Sequence, residues 1–367
     1  MKFRTYVLFW LLFGVAADTV IGLTLLKGAT WWAVALMAAP TLAAGLCLPL
    51  IGMGKKYTAA LRVFSYIIFI FEFPKFLAAI NGLFLPAGVA AGIGVAVSLF
   101  FITLIFYVTT HLTVRETTLG FDNLPESANG LRICHIGDFH LGSFGTKSGY
   151  VRRIIETVNS RKPDVILFVG DLVNFETKEA FPYRDVLAGM EAPVYAIPGN
   201  HDFLLHGPND SNEEGRLRDM AALVEFEKGL GWRILRNENI ELRPGVSLIG
   251  VDNITKNTYF RNVGGDLGKA VEGIPDGAFK ILLSHDPTHW RMEVLPKTDI
   301  DLTLSGHTHG LKYKLTGLHP NHWRLHESSG LYEEGARKLF VTPGLGSAFA
   351  FRLGGYPRID IITLTKT

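Results

Sequence analysis

The stretch Leu131-Arg132-Ile133-Cys134-His135-Ile136-Gly137-Asp138-Phe139-His140 couples a short apolar run to a glycine turn that carries an aspartate and a histidine. A run of this length bounded by a turn signal reads as a buried strand, which puts the polar pair at its carboxyl end. The same grammar returns four times. Residues 165–169 lead into Gly170-Asp171, residues 194–197 into Pro198-Gly199-Asn200-His201-Asp202, residues 280–283 into Ser284-His285-Asp286, and residues 301–304 into Ser305-Gly306-His307-Thr308-His309. A further strand is expected over 247–251. Val151, Ile154, Ile155 and Val158 recur at helical spacing within 148–161, and Pro163 ends that helix. Strands alternating with amphipathic helices form a layered α/β domain, whose ligands bind in the crevice at the strand carboxyl ends. All five polar turns can therefore converge on one site.

Oxygen and imidazole donors without thiolate suit manganese, iron, zinc or nickel rather than a structural zinc. Two aspartates, an asparagine and four or five histidines exceed what one ion needs. A pair of divalent ions is the economical answer, with manganese favoured. Two such ions, roughly 3.5–4 Å apart, can clamp a phosphoryl group, lower the pKa of a bridging water and stabilise the attacking and leaving oxygens.

Taken in order, Asp138-x-His140, Gly170-Asp171, Gly199-Asn200-His201-Asp202, His285 and Gly306-His307-x-His309 resemble the calcineurin-like metallophosphoesterases. The resemblance runs from Leu131 to the C-terminus, and five motifs in order are far more specific than any one alone. The Asp171-Leu172-Val173 continuation and the Arg352, Pro357, Ile359 stretch look like the membrane-associated bacterial subgroup. The resemblance implies two sheets flanked by helices and a metal-dependent hydrolase of phosphate ester or pyrophosphate bonds. It also implies that Asp138, His140 and His309 hold one metal, that Asn200, His285 and His307 hold the other, and that Asp171 bridges them. His201 would face the phosphate as a general acid or transition-state stabiliser, oriented by Asp202. Leu311 and Lys312 depart from the subgroup, where many relatives have glycine and glutamine, and that bears on substrate contacts rather than on metal.

The remainder of the chain has another character. Its first 112 residues hold four apolar stretches, 5–26, 31–52, 61–85 and 88–112, each near the roughly 20 residues that cross a bilayer. The expected organisation is a transmembrane domain over 1–112, a linker over 113–130 and the phosphoesterase-like domain over 131–367. Lys2, Arg4, Lys55, Lys56 and Arg62 flank the proposed inner ends, so four crossings put the enzyme domain in the cytoplasm of an inner-membrane protein. Within the spans, Glu72 and Lys75 are three residues apart and are expected to pair beside a kink at Pro74. A formal net charge of +2 offers no broad basic field for nucleic acid. The expected partners are a phosphorylated substrate, with a membrane lipid or nucleotide-linked lipid as the favoured class, and the bilayer itself. Cys47 and Cys134 imply no disulfide framework.

Two other readings compete: a membrane-anchored protein phosphatase, and a sensor whose phosphoesterase-like domain keeps the shape without the chemistry. Every expected ligand position carries a suitable donor, which argues against the sensor. Gly199 and Gly306 read as turn residues that permit positive φ. Asp286 reads as a turn cap, Arg352 as a rim or substrate residue, and His135, His289, His322 and His326 as surface or supporting groups. The polar segment between His201 and Gly231 is expected to form a rim.

Overall fold

The computed structural model describes residues 3–24, 30–52, 56–146, 148–204, 212–256, 263–310, 326–348, 351–352 and 355–367. Leu311, Lys312 and His322 lie outside these residues. Two compact units emerge: one holds residues 1–109 together with Phe349–Arg352, the other holds Thr110–Ala348 and Leu353–Thr367.

In the first unit, three helices are long and apolar enough to cross a membrane: Ala33–Ile51, Tyr57–Asn81 and Ala87–Thr110. A further helix spans Phe3–Thr24, and its apolar stretch Leu8–Leu23 is shorter. Leucines and phenylalanines at intervals along these helices are exposed, as a hydrocarbon solvent would require. The expected Glu72–Lys75 pair forms at 2.9 Å, but the irregularity beside it is a π-helical turn over Ile68–Glu72. Pro74 lies within the continuous helix Tyr57–Asn81, just past that π-helical turn, and the Ile70 carbonyl four residues before it accepts instead from the Ser98 hydroxyl at 2.6 Å. The pair is also part of a larger cluster. Lys75 Nζ reaches Asp18 Oδ1 at 2.6 Å and donates to the Met37 carbonyl at 3.0 Å. The Thr41 hydroxyl lies 2.5 Å from Asp18 Oδ2 and 3.1 Å from Glu72 Oε2.

The second unit packs two six-stranded sheets face to face. One sheet runs in the order β1 (Thr113–Phe121), β12 (Arg358–Lys366), β2 (Arg132–Ile136), β3 (Val165–Phe168), β4 (Val194–Ala196), β5 (Arg233–Ile234). The other runs β10 (Gly330–Glu334), β11 (Arg337–Val341), β9 (Leu302–Ser305), β8 (Phe279–Leu283), β7 (Val246–Gly250), β6 (Glu238–Arg243). Period-two alternation divides each strand between two cores. Ile133, Val165 and Leu167 join Leu248, Ile281 and Leu304 between the sheets. Cys134, Ile136, Ile166 and Phe168 face outward, where the helix Gly149–Ser160 covers them with Val151, Ile154, Ile155 and Val158.

All six strands expected from sequence are present, within a residue or so at each end. The linker expected over 113–130 is not a linker: β1 occupies its first half and pairs in parallel with β12 over nine residues. Part of the expected rim is the helix Glu213–Lys228, capped by Asn212, whose side chain accepts from the Gly215 amide.

Candidate metal centre

β2, β3 and β4 lie side by side and parallel in one sheet, as do β8 and β9 in the other. Their carboxyl ends therefore present five turns to one place, and the backbone ties those turns together. The Asp138 amide donates to the Gly170 carbonyl at 2.8 Å, the His140 amide to the Asp171 carbonyl at 3.0 Å, and the Gly306 amide to the His285 carbonyl at 2.9 Å. The Thr342 amide donates to the Ser305 carbonyl at 2.9 Å, which brings the turn after β11 alongside.

The conformational strain lies in the donors themselves. Asp138, His140, Asp171, His307 and His309 all have positive φ, between 49° and 71°. Left-handed backbone at non-glycine residues costs about 1–3 kcal/mol each and persists where surroundings over-determine it. Gly199 and Gly306, expected to supply positive φ, do not have it. Glycine is needed there for proximity: a Cβ on Gly199 would lie 2.2 Å from Asp171 Oδ1, and one on Gly306 2.3 Å from Asp138 Oδ2.

The donor atoms meet as two groups that share one oxygen. Asp171 Oδ1 accepts from the His201 amide at 2.8 Å, which fixes the carboxylate and leaves Oδ2 pointing inward. That Oδ2 lies 3.5 Å from His140 Nε2 on one side and 3.2 Å from His285 Nε2 on the other. Around the first group, Asp138 Oδ1 is 4.0 Å from His140 Nε2 and 3.9 Å from His309 Nε2. Around the second, Asn200 Oδ1 is 3.0 Å from His285 Nε2 and 2.8 Å from His307 Nδ1. Every residue expected to bind metal is thus brought together.

Divalent cations fit this donor set. His285 Nδ1 lies 2.7 Å from the Val169 carbonyl, which can only accept, so Nδ1 carries a hydrogen and a neutral ring turns the Nε2 lone pair toward two oxygens. Lone pairs facing each other in a buried site need a positive charge among them. Without a metal a proton serves: burial would lower the His285 pKa, but the Asp171 and Asp138 carboxylates raise it to about 10. The converse holds for Asp171, where burial favours the acid and His285, His201 and His140 hold it well below the usual carboxylate range. The proton on His285 and a cation between the donors are alternative answers to one repulsion.

Asp202 does not orient His201. Its carboxylate accepts four backbone amides, from Asp171 at 2.7 Å, Leu172 at 2.9 Å, Val173 at 3.2 Å and Gly199 at 2.9 Å. It is a brace that fixes the turns after β3 and β4 to each other. Burial and the Asp171 carboxylate push it up to about 7, against amides that favour the anion. The His201 ring is held instead by the Asn174 carbonyl, 2.8 Å from Nδ1. The Asn174 amide is fixed in turn by Glu179 Oε2 at 2.6 Å. Sequence reading passed over both residues, although Asn174 follows Asp171 by three positions. His201 stands edge-on to His140, with ring centroids 4.8 Å apart.

The remaining expectations divide. His289 and His135 are buried, His289 bonded through Nδ1 to Ser284 Oγ at 2.8 Å, while His326 is exposed. Arg352 is 1% exposed and so solvates no rim.

Residues 131–311 match the family model described as calcineurin-like phosphoesterase. The domain belongs to that family. A "Transmembrane protein with metallophosphoesterase domain" of Danio rerio is 30% identical over 248 residues, which is 64% of this chain and 52% of that protein. The chain thus spans about half the length of this relative. An "Uncharacterized metallophosphoesterase" of Aquifex aeolicus is 26% identical over 260 residues, 70% of this chain and 93% of its own. The "UDP-2,3-diacylglucosamine pyrophosphatase LpxG" of Chlamydia trachomatis is 24% identical over 306 residues, 68% of this chain and 88% of its own. This calcineurin-like domain, with its clustered donors, has the make-up of a metal-dependent phosphohydrolase.

Proposed function

We propose that this chain hydrolyses phosphate ester or pyrophosphate bonds with two divalent cations, acting at a membrane surface on an amphipathic phosphorylated substrate. One observation carries the reading: Asp171 Oδ2 stands between two histidine nitrogens at 3.5 and 3.2 Å, as a bridging carboxylate would. Asp138, His140, Asp171 and His309 would hold one cation, and Asp171, Asn200, His285 and His307 the other. When bound, the pair would supply Lewis-acid polarisation of the phosphoryl oxygens and an acidified water. The Val169 carbonyl keeps His285 Nε2 turned to the centre, and Asp202 keeps the turns after β3 and β4 in register. His201, its Nδ1–H held by the Asn174 carbonyl, would as the imidazolium present Nε2–H to the departing oxygen and give it that proton.

The substrate class rests on two supports. The chain carries helices of membrane-crossing length, and a relative that aligns with 68% of the chain is named for pyrophosphate hydrolysis on a diacylated sugar nucleotide. Protein purified in detergent is expected to hold two ions per chain and to cleave a chromogenic phosphodiester, with a nucleotide-linked lipid preferred over phosphoprotein. Absence of bound metal together with absence of hydrolysis would refute the reading. The lysine and arginine distribution further supports an inner-membrane protein with its enzyme domain in the cytoplasm. A reporter active only in the cytoplasm, fused after Thr367, should be active. Activity of an export-dependent reporter there instead would mean an odd number of crossings.

A further inference from the structure

His307 has two ring nitrogens with different neighbours. Nδ1 lies 2.8 Å from Asn200 Oδ1 and 3.2 Å from His285 Nε2, so it faces the donor cluster. Nε2 faces away and stands 3.6 Å from Asp286 Oδ2. We propose that Asp286 is a positioning residue that sets the tautomer and aim of His307, with Thr255 holding Asp286 in place; the inference rests on the two-cation reading above.

The carboxylate is built for this. Asp286 is 2% exposed, its Oδ1 accepts from the Thr288 amide at 2.8 Å, and its Oδ2 accepts from the Thr255 hydroxyl at 2.5 Å. Both oxygens are therefore anchored, and Oδ2 keeps a second lone pair for the imidazole. A neutral imidazole can give Nδ1 to a cation only if its hydrogen is on Nε2. A carboxylate opposite Nε2 favours that tautomer, and ligand histidines commonly have such a partner. At 3.6 Å the contact is ionic and longer than a hydrogen bond. His285 solves the same problem with the Val169 carbonyl. His307 has a φ of 71°, so its ring is not held by a relaxed backbone.

A turn cap needs less than this. The Thr288 amide occupies one oxygen, and an asparagine would serve it as well. Asp286→Asn in the full-length protein separates the two roles, because its oxygen still accepts from the Thr288 amide and its NH2 can donate to the Thr255 hydroxyl, while the charge facing His307 is removed. Affinities for manganese and for zinc, each alone, are to be read by chelator competition alongside metal content. One of the two ions should weaken about 10–100-fold, the other should stay, and saturating metal should restore most hydrolysis. Asp286→Glu should recover part of the lost affinity. Wild-type protein holding fewer than two ions would sink the two-cation reading itself. Wild-type protein holding two ions, with both affinities unchanged in folded Asp286→Asn, would overturn only the role of Asp286. Should Asp286→Asn fail to fold, Thr255→Val is decisive: removing one net hydrogen bond should weaken the same ion about 2–10-fold, and unchanged affinity would overturn the role.

Discussion

In the helical unit, Lys75 meets Asp18 and Glu72 at 2.6 and 2.9 Å, and the Thr41 hydroxyl lies within hydrogen-bonding distance of both carboxylates. Opposite charges are supplied from within, by residues on several helices. At the strand ends of the other unit, Asp171 has only imidazoles as ionic neighbours among the described residues. There the positive charge is either a proton on His285 or a cation from outside the chain. Buried carboxylates therefore mean different things according to what faces them. Faced by an ammonium they close a structure; faced by neutral bases and by one another they leave a place for a cation.

Removing the carboxylate shared by both groups breaks the contrast most severely. Asp171→Asn should lower hydrolysis by at least about 10³-fold, the upper range for losing one preorganised electrostatic group, and metal analysis should show both ions depleted. Full metal occupancy with a near-normal rate would dismiss the bridging role. His201→Ala sharpens the comparison by separating proton transfer from charge balance. It should keep both ions and lose about 10²–10⁴-fold in rate; loss of an ion would make His201 a ligand. In the helical unit, Lys75→Met leaves the buried Glu72 and the part-buried Asp18 without their cation and should cost about 3–5 kcal/mol in denaturant unfolding in detergent. Adding Asp18→Asn and Glu72→Gln should recover most of that, and no recovery would mean that Lys75 acts by packing alone. The smallest effect concerns space. Gly199→Ala puts a methyl against Asp171 Oδ1 and should cost about 1–3 kcal/mol by overpacking, visible as a lower melting temperature and weaker metal retention.

The strands that lead into the donor cluster were legible because each couples an apolar run to an abrupt polar turn. β1 was not: its sequence, Thr-Val-Arg-Glu-Thr-Thr-Leu-Gly-Phe, keeps little alternation, and its half-exposed surface reads as a linker. β6, β10 and β11 carry charge for the same reason. Within the site, residue types named the donors, but adjacency misled about their supports. Asp202 follows His201 directly, yet its carboxylate turns to the backbone of the neighbouring strand end, while Asn174, 27 residues earlier, holds the ring through its carbonyl. A backbone acceptor leaves no trace in side-chain chemistry. The left-handed conformation of the donor residues was equally silent: Asp and His are enriched there, but most of them still have negative φ.

β12 lies between β1 and β2, so the sheet that carries Asp138, Asp171 and Asn200 is interrupted until a late segment arrives. Thr113 bonds Pro357 across 244 positions. In a chain made from its N-terminus, β1 follows the apolar helices out of the ribosome almost at once and then waits for its neighbour. Through most of translation it is an unpaired edge, and its Arg115, Glu116 and paired threonines are the sort of polar residues that keep such an edge from joining another chain. A frameshift or early stop that removes only β12 would take out an interior strand and cut β1 off from the rest of the sheet, so quality control could detect a truncated product in which every residue of the donor cluster had already been synthesised.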